Sequence, residues 1–204
     1  EPGTYDLAVQ DALGCSWESS VTINEPQPLD LDINGEVDLV LGDSLILNAM
    51  TNLNSGEIDT LIWDQSTIIR CEDEDCLTAV VTEIYNQTVF TATLIDTVGC
   101  TTTASISVSV DKERLIYIPN AFSPNQDGMN DLFMIHGGTG IENVKHFEIY
   151  NRWGETVYSD SNFQPNDPDR AWNGHFRGKQ LNPGVFVYMA EVEFVDGEVI
   201  TSND

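Results

Sequence analysis

Apolar and polar residues alternate with a period of two along most of this chain, as in Tyr5, Leu7 and Val9 or Val21 and Ile23. That period marks strands with one buried face. No window sustains the i, i+3, i+4, i+7 spacing of an amphipathic helix. The alternation predicts strands over 29–33, 37–41, 44–50, 60–63, 79–83, 89–95 and 102–110. Further strands are predicted over 116–118, 132–135, 144–151, 156–159, 185–194 and 199–201. Arg152-Trp-Gly154 and Asn173-Gly174 read as turns, and Asp196-Gly197 is a hairpin signal.

An internal repeat organises these elements. Tyr5-Asp-Leu-Ala-Val-Gln-Asp11 aligns with Phe90-Thr-Ala-Thr-Leu-Ile-Asp96, an offset of 85 residues (90 less 5). The register continues through DALGC over DTVGC and SSVTI over ASISV. The offset is close to the length of one immunoglobulin-like sandwich. The reading is an all-β protein of tandem immunoglobulin-like antiparallel β-sandwiches. Residues 1–27 are the terminal hairpin of an upstream repeat cut short, because a lone two-stranded ribbon is marginal. Residues 28–111 are a complete immunoglobulin-like stalk domain, with Trp63 placed where such domains keep a core tryptophan. Residues 115–204 are a further domain. Pro26 and Pro28 mark one linker and residues 112–114 the other. The opening at Glu1-Pro-Gly reads as that of a fragment.

Charge then narrows the function. The chain has 34 acidic and 8 basic residues, a formal net charge of −26. Residues 1–111 hold 20 of the acids and a single base, Arg70, while 115–204 hold 13 acids and 5 bases. Such a surface repels phosphate backbones and excludes nucleic acid as a partner. It suits an extracellular protein in water where counter-ions screen self-repulsion. Four cysteines fit an oxidising compartment. Cys71 and Cys76 bracket four acids, and a zinc site would need two further soft ligands, so a local disulfide is the reading. Cys15 has lost an upstream partner; Cys100 stands free or competes for Cys71 or Cys76.

The chemistry of catalysis is missing from the pattern. His136, His146 and His175 fall in separate predicted elements without metal-ligand spacing. No nucleophile elbow, paired-histidine metal helix or Cys/His pair occurs. His136-Gly-Gly-Thr-Gly140 lacks the Lys-Ser/Thr of a phosphate loop. The chain is read as a binding protein and not an enzyme. Trp17, Trp153 and Trp172 are candidate sugar-stacking rings; Trp153 and Trp172 read better as core or turn-packing residues. No cofactor is read, with one exception to test. Asn125, Asp127, Asn130 and Asp131 run through a glycine-containing turn that partly resembles a calcium loop, without the distal glutamate. The plainer reading is that Asx side chains satisfy turn backbone. Asp-Ser/Thr-apolar triplets place candidate O-glycosylation hydroxyls at Ser44, Thr60 and Thr97, and Asn86-Gln-Thr88 fits the N-glycan sequon.

Four ordered blocks carry a family resemblance: YIPNAFSPNQDGMNDLF (117–133), IYNRWGETVY (149–158), WNGHFRGKQL (172–181) and NPGVFVYMAEVEF (182–194). Together they resemble the gliding-motility-associated C-terminal domain, the type B sorting domain of Bacteroidetes proteins exported by type IX secretion. The upstream repeat is similar to those of gliding adhesins. The resemblance implies a secreted cell-surface protein, attached at the outer membrane and acting by binding. Its implied partners are the translocon, an outer-membrane β-barrel shuttle and a companion barrel for type B cargo. It also implies one more strand after the Asp196-Gly197 hairpin, which this sequence does not reach. Candidate partner-binding residues are Arg152, Trp153, Gly154 and Glu155, with Lys179, Pro183 and Gly184. Pro183-Gly184 leads into a long strand expected to present an unpaired edge for strand addition. The rival reading is a structural stalk or adhesive module that binds glycans or calcium, with a passive C-terminal anchor.

Overall fold

Two sandwiches and a detached hairpin make up the computed structural model, which describes residues 1–25, 27–65 and 67–203. The linker residue Pro26 lies outside the described residues. The hairpin pairs β1 (Gly3–Gln10) with β2 (Ser16–Ile23). Its turn is set by Asp11, whose Oδ1 accepts the N–H groups of Leu13 and Cys15, both at 2.9 Å. Gly14 supplies the positive φ of 89° that the turn requires. Among the described residues neither strand joins another sheet. One face lines up Tyr5, Leu7 and Val9 against Val21, Ser19 and Trp17, and its large apolar side chains are 44–61% exposed. A two-stranded ribbon with no covered face opens readily. Thermolysin is therefore expected to remove residues 1–25 first and leave a core beginning near residue 30 with its melting temperature unchanged. Mass spectrometry and calorimetry read this out; a hairpin that survives as long as the core refutes it.

The first sandwich contains β3 (Leu31–Asn34), β4 (Asp38–Val40), β5 (Leu45–Thr51), β6 (Ile58–Trp63), β7 (Ile69–Cys71), β8 (Thr78–Val81), β9 (Thr88–Asp96) and β10 (Thr101–Asp111). One sheet runs β3-β5-β8-β7 and the other β4-β10-β9-β6. Strict alternation builds the core: Leu45, Leu47 and Ala49 of β5 are buried while Ile46 and Met50 face out. Phe90, Ala92 and Leu94 of β9 meet them from the opposite sheet. Trp63 is buried there, and its indole Nε1 donates to the Cys76 carbonyl at 3.0 Å. Cys71 and Cys76 are joined, while Cys15 and Cys100 are free and exposed, so Cys100 does not compete. The pairing is not wholly antiparallel. β4 runs parallel to β10, because the chain reaches the end of that sheet by crossing from the other one. β7 was not expected, and two short 3₁₀ turns, at Ser55–Glu57 and Pro168–Arg170, are the helical elements among the described residues.

The second sandwich contains β11 (Ile116–Tyr117), β12 (His136–Gly137), β13 (Ile141–Asn151), β14 (Thr156–Asp160), β15 (His175–Phe176), β16 (Lys179–Gln180), β17 (Phe186–Phe194) and β18 (Val199–Asn203). Its main sheet runs β14-β13-β17-β18. The core is aromatic, with Phe133, Phe147, Phe163, Trp172 and Phe194 all buried. Two expectations fail here. Residues 132–135 form no strand; Phe133 instead makes a single bridge to Trp172. And over Met189–Glu193 β17 is an inner strand, with β13 on one side and β18 on the other, so the expected unpaired edge does not run the length of the strand. At the junction of the sandwiches, Leu41 is buried in the second core and Val110 packs against both. Gly42 (φ 90°) meets Thr139 so closely that a Cβ would strike its carbonyl, and the Thr139 hydroxyl donates to Asp43 at 2.9 Å.

Candidate functional site

The β13–β14 turn places the first group of candidate residues. The Asn151 side-chain oxygen accepts the N–H groups of Trp153 and Glu155, both at 3.0 Å, and Gly154 takes a φ of 80°. This Asx-capped turn aims Arg152 and Trp153 outward, with the guanidinium stacked 4.2 Å over the indole ring. Trp153 is 75% exposed, so it is a turn residue and has no part in the core. Trp172 is buried, and its indole donates to the His175 carbonyl at 3.0 Å.

The second group lies beside the first. Glu155 pairs with Arg177 at 3.4 Å, tying the turn to the small β15–β16 hairpin that carries Lys179. Asn151 is paired with Phe186, which puts exposed Pro183 and Gly184 at the same end of the domain. The structure thus gathers Arg152, Trp153, Gly154, Glu155, Lys179, Pro183 and Gly184 at one end. Arg177, which sequence reasoning passed over, joins them and stacks 4.6 Å from the Phe176 ring. Arg152, Arg177 and Lys179 are three of the five bases in residues 115–204. In so acidic a chain they make a local reversal of charge with exposed aromatic and turn backbone between them.

Next to this end runs a groove of about 680 Å³, bounded by residues 119–125 and 180–188. Its lining includes Phe122, Trp172 and Phe186, which pack on one another. No alternation or motif signalled it, since one wall is an irregular proline-bearing segment.

The Asn/Asp turn at 125–131 is built by its own side chains. Asp131 accepts the N–H groups of Gln126 (2.6 Å) and Gly128 (2.8 Å); Asp127 accepts that of Met129 (2.8 Å) and the Asn125 amide (2.8 Å). The Asn125 amide and Met129 N–H hold the Asp127 carboxyl below its ordinary pKa. Asn130 adopts a φ of 53°, and its carbonyl accepts from Ser123. Most of these oxygens take backbone N–H donors and one takes the Asn125 side-chain amide, the chemistry of an Asx turn. Among the described residues no group of three His, Cys, Asp or Glu side chains is placed to hold a metal. His136, in β12, lies 5.7 Å from the Tyr117 ring; His146 is in β13 and His175 in β15. Of the candidate glycosylation hydroxyls, Ser44 is exposed just before β5 and Thr97 is exposed in a turn, whereas Thr60 is half-buried within β6.

Residues 116–201 match the family model described as the CHU_C type IX secretion signal domain. Among solved structures the chain is similar to murine CEACAM1b, at 8% identity and a TM-score of 0.34, covering 81% of this chain and 92% of that one. It is also similar to dimeric latent PorU from Porphyromonas gingivalis, at 13% identity and a TM-score of 0.29, covering 98% of this chain but 23% of that one. A third is the SGBP-B protein of a Bacteroides ovatus mixed-linkage glucan utilization locus, at 19% identity and a TM-score of 0.28, covering 98% and 51%. At these TM-scores the structural likenesses carry no argument. No curated protein matches the chain.

Proposed function

Because residues 116–201 match the family model described as the CHU_C type IX secretion signal domain, we propose that this chain is the C-terminal part of a secreted, surface-attached adhesin of the gliding-motility type. A signal of this family implies interaction with the secretion machinery. The finer reading is that outer-membrane β-barrels, a shuttle and a companion barrel for this class of cargo, recognise the domain. The family match carries the proposal; the gathered end of the domain suggests where recognition occurs. There Arg152, Arg177 and Lys179 oppose the prevailing negative charge beside exposed Trp153, a combination suited to a hot spot. The sandwich before it serves as a stalk that holds upstream repeats away from the membrane.

The test is made in a host with type IX secretion. Deleting residues 116–201 from the protein is expected to leave it in the periplasm, and fusing the C-terminal region to a fluorescent protein to carry that cargo to the cell surface. Reversing charge with Arg152→Glu and Lys179→Glu together is expected to lower surface display by about tenfold without changing the melting temperature. Surface display that survives the deletion sinks the export reading. Normal display of the folded double variant removes the recognition surface from it.

A further inference from the structure

Leu41 belongs to one sandwich by its backbone and to the other by its side chain. Its N–H donates to the Asp111 carbonyl at 2.9 Å, next to the β4–β10 pairing of the first sandwich. Its side chain is 1% exposed and lies in the core that holds Ile135, Ile141 and Phe194 of the second. A leucine so placed stabilises the core that encloses it rather than the one its chain comes from. The dependence runs one way. Among the described residues, every buried member of the first core comes from residues 31–108, whereas the second core takes Leu41 from outside residues 115–204.

Backbone seals this plug. Gly42 takes a φ of 90°, and a Cβ there would strike the Thr139 carbonyl; a Cβ on Gly140 would lie 2.8 Å from the Leu41 carbonyl oxygen. Glycine at both positions lets the two backbones pass this closely. The Thr139 hydroxyl donates to Asp43 at 2.9 Å beside them. Two further segments of the first sandwich reach across. Tyr85 and Val110 pack against the second core. Lys112 Nζ donates to Asn86 of the first sandwich at 2.9 Å and lies 3.5 Å from Asp196 of the second. Sandwiches joined by a short linker swing against each other unless what they share is apolar and well packed. Here the shared element is a fully buried leucine, and the joint is held through three separate segments, so it cannot turn about any one of them.

We propose that the first sandwich completes the second: the turn at 41–43 is a plug in the core of the following domain, and the two sandwiches move as one rigid arm without a hinge at residues 112–114. Such an arm refines the stalk reading and rests on it for its purpose alone, since a rigid stalk transmits a pull along its length instead of folding over. The tests below use neither export nor adhesion, so failure of the stalk reading leaves them standing.

Both measurements use the whole 204-residue chain. The first is hydrogen exchange, read by mass spectrometry, on Leu41→Ala. The substitution lies in the first sandwich, yet exchange is expected to quicken at least about tenfold in β13 and β17 and to stay within about twofold of the parent in β5 and β9. Leu41→Val leaves a smaller void and serves where the alanine variant does not fold; it is expected to quicken the same two strands by about threefold. The second is the distance between two spin labels, measured by electron paramagnetic resonance. Cys100, free and exposed, carries one label and Ser159→Cys on the exposed side of β14 the other, with Cys15→Ser removing the remaining free thiol. The distribution across the junction is expected to be as narrow as that between Cys100 and Ile46→Cys, a pair within the first sandwich whose second position is 55% exposed. Unchanged exchange in β13 and β17 overturns the plug. So does quickening confined to β5 and β9, or equal in all four strands, which would place Leu41 in the first core. A distribution across the junction broader than the reference pair reveals a hinge and overturns the rigid arm.

Discussion

Phe147→Ala is expected to lose about 3–5 kcal/mol from the second sandwich, the largest effect of any single side chain here. Phe147 is fully buried at the centre of β13. Four rings surround it: Tyr158 at 5.7 Å, Phe133 at 6.0 Å, and Phe163 and Tyr188 each at 6.5 Å between centroids. They come from four different segments, so no one shift of backbone can collapse the cavity that alanine leaves, and the cavity term adds to the lost transfer energy. Against a typical domain stability of about 5–15 kcal/mol, the variant sits near its unfolding threshold. Thermal denaturation is expected to move the transition of this sandwich down by more than about 12 °C. The first sandwich keeps its own core, built on Phe90 and Trp63, so a second transition is expected to stay near its parent position. A drop below about 3 °C would show that Phe147 is not the keystone of this core.

How legible each element was in the sequence depends on whether its cause is local. The repeat was read from DALGC over DTVGC, and the structure shows why the letters recur. Asp96 caps Val98 and Cys100 at 3.0 and 2.7 Å, just as Asp11 caps Leu13 and Cys15. A turn stabilised by its own side chain writes itself into five consecutive residues. The long strands β5, β9, β13 and β17 were legible for a similar reason, since alternation over seven or more residues leaves one reading. The misses have non-local causes. Phe133 alternates as a strand residue would, yet its partner is one residue of a distant loop, Trp172; the burial pattern of a bridge and of a strand are the same over so short a stretch. β15 and β16 are two residues each, below the length at which a period exists. The parallel pairing of β4 with β10 depends on a crossover that no local residue announces. In the candidate site, Arg152–Glu155 stood out as a turn and Lys179–Gly184 as candidate partner-binding residues, but that they share one end follows from the Asn151–Phe186 register and the Glu155–Arg177 pair.

Arg114 is the least legible of the residues that matter, because its acidic partners lie more than eighty residues away in a chain full of acids. It sits in the connection between β10 and β11, and its guanidinium is held as a fork. Nη1 donates to Asp196 Oδ1 at 3.0 Å, and Nη2 donates to Asp196 Oδ2 at 2.8 Å and Glu198 Oε2 at 2.6 Å. The same guanidinium lies 4.5 Å over the Phe194 ring. Lys112 extends the network, reaching Asp196 at 3.5 Å and Asn86 of the first sandwich at 2.9 Å. Arg114 and Asp196 side chains are only 15% and 10% exposed, so solvent screens the pair weakly and removal of one member strands the other. The Arg114 hydrogen bonds, working against partial burial, pull the Asp196 carboxyl down to about 2. Asp196 nonetheless lies close to the surface and keeps Lys112, so Arg114→Ala is expected to cost about 2 kcal/mol, less than a deeply buried pair would.

The pH dependence separates this cause from simple loss of packing. A carboxylate whose folded pKa is depressed stabilises the fold at pH values above its unfolded pKa of about 4. It gives that stability up as pH falls toward the folded value. The parent chain is therefore expected to lose an increment of stability between about pH 4 and pH 2, and Arg114→Ala to lack that increment, so that the two melting curves converge on acidification. Arg114→Lys keeps the charge but not the planar fork, and is expected to fall between them. If parent and alanine variant instead titrate in parallel across this range, the contribution of Arg114 is packing on Phe194 and the ion pair adds nothing measurable.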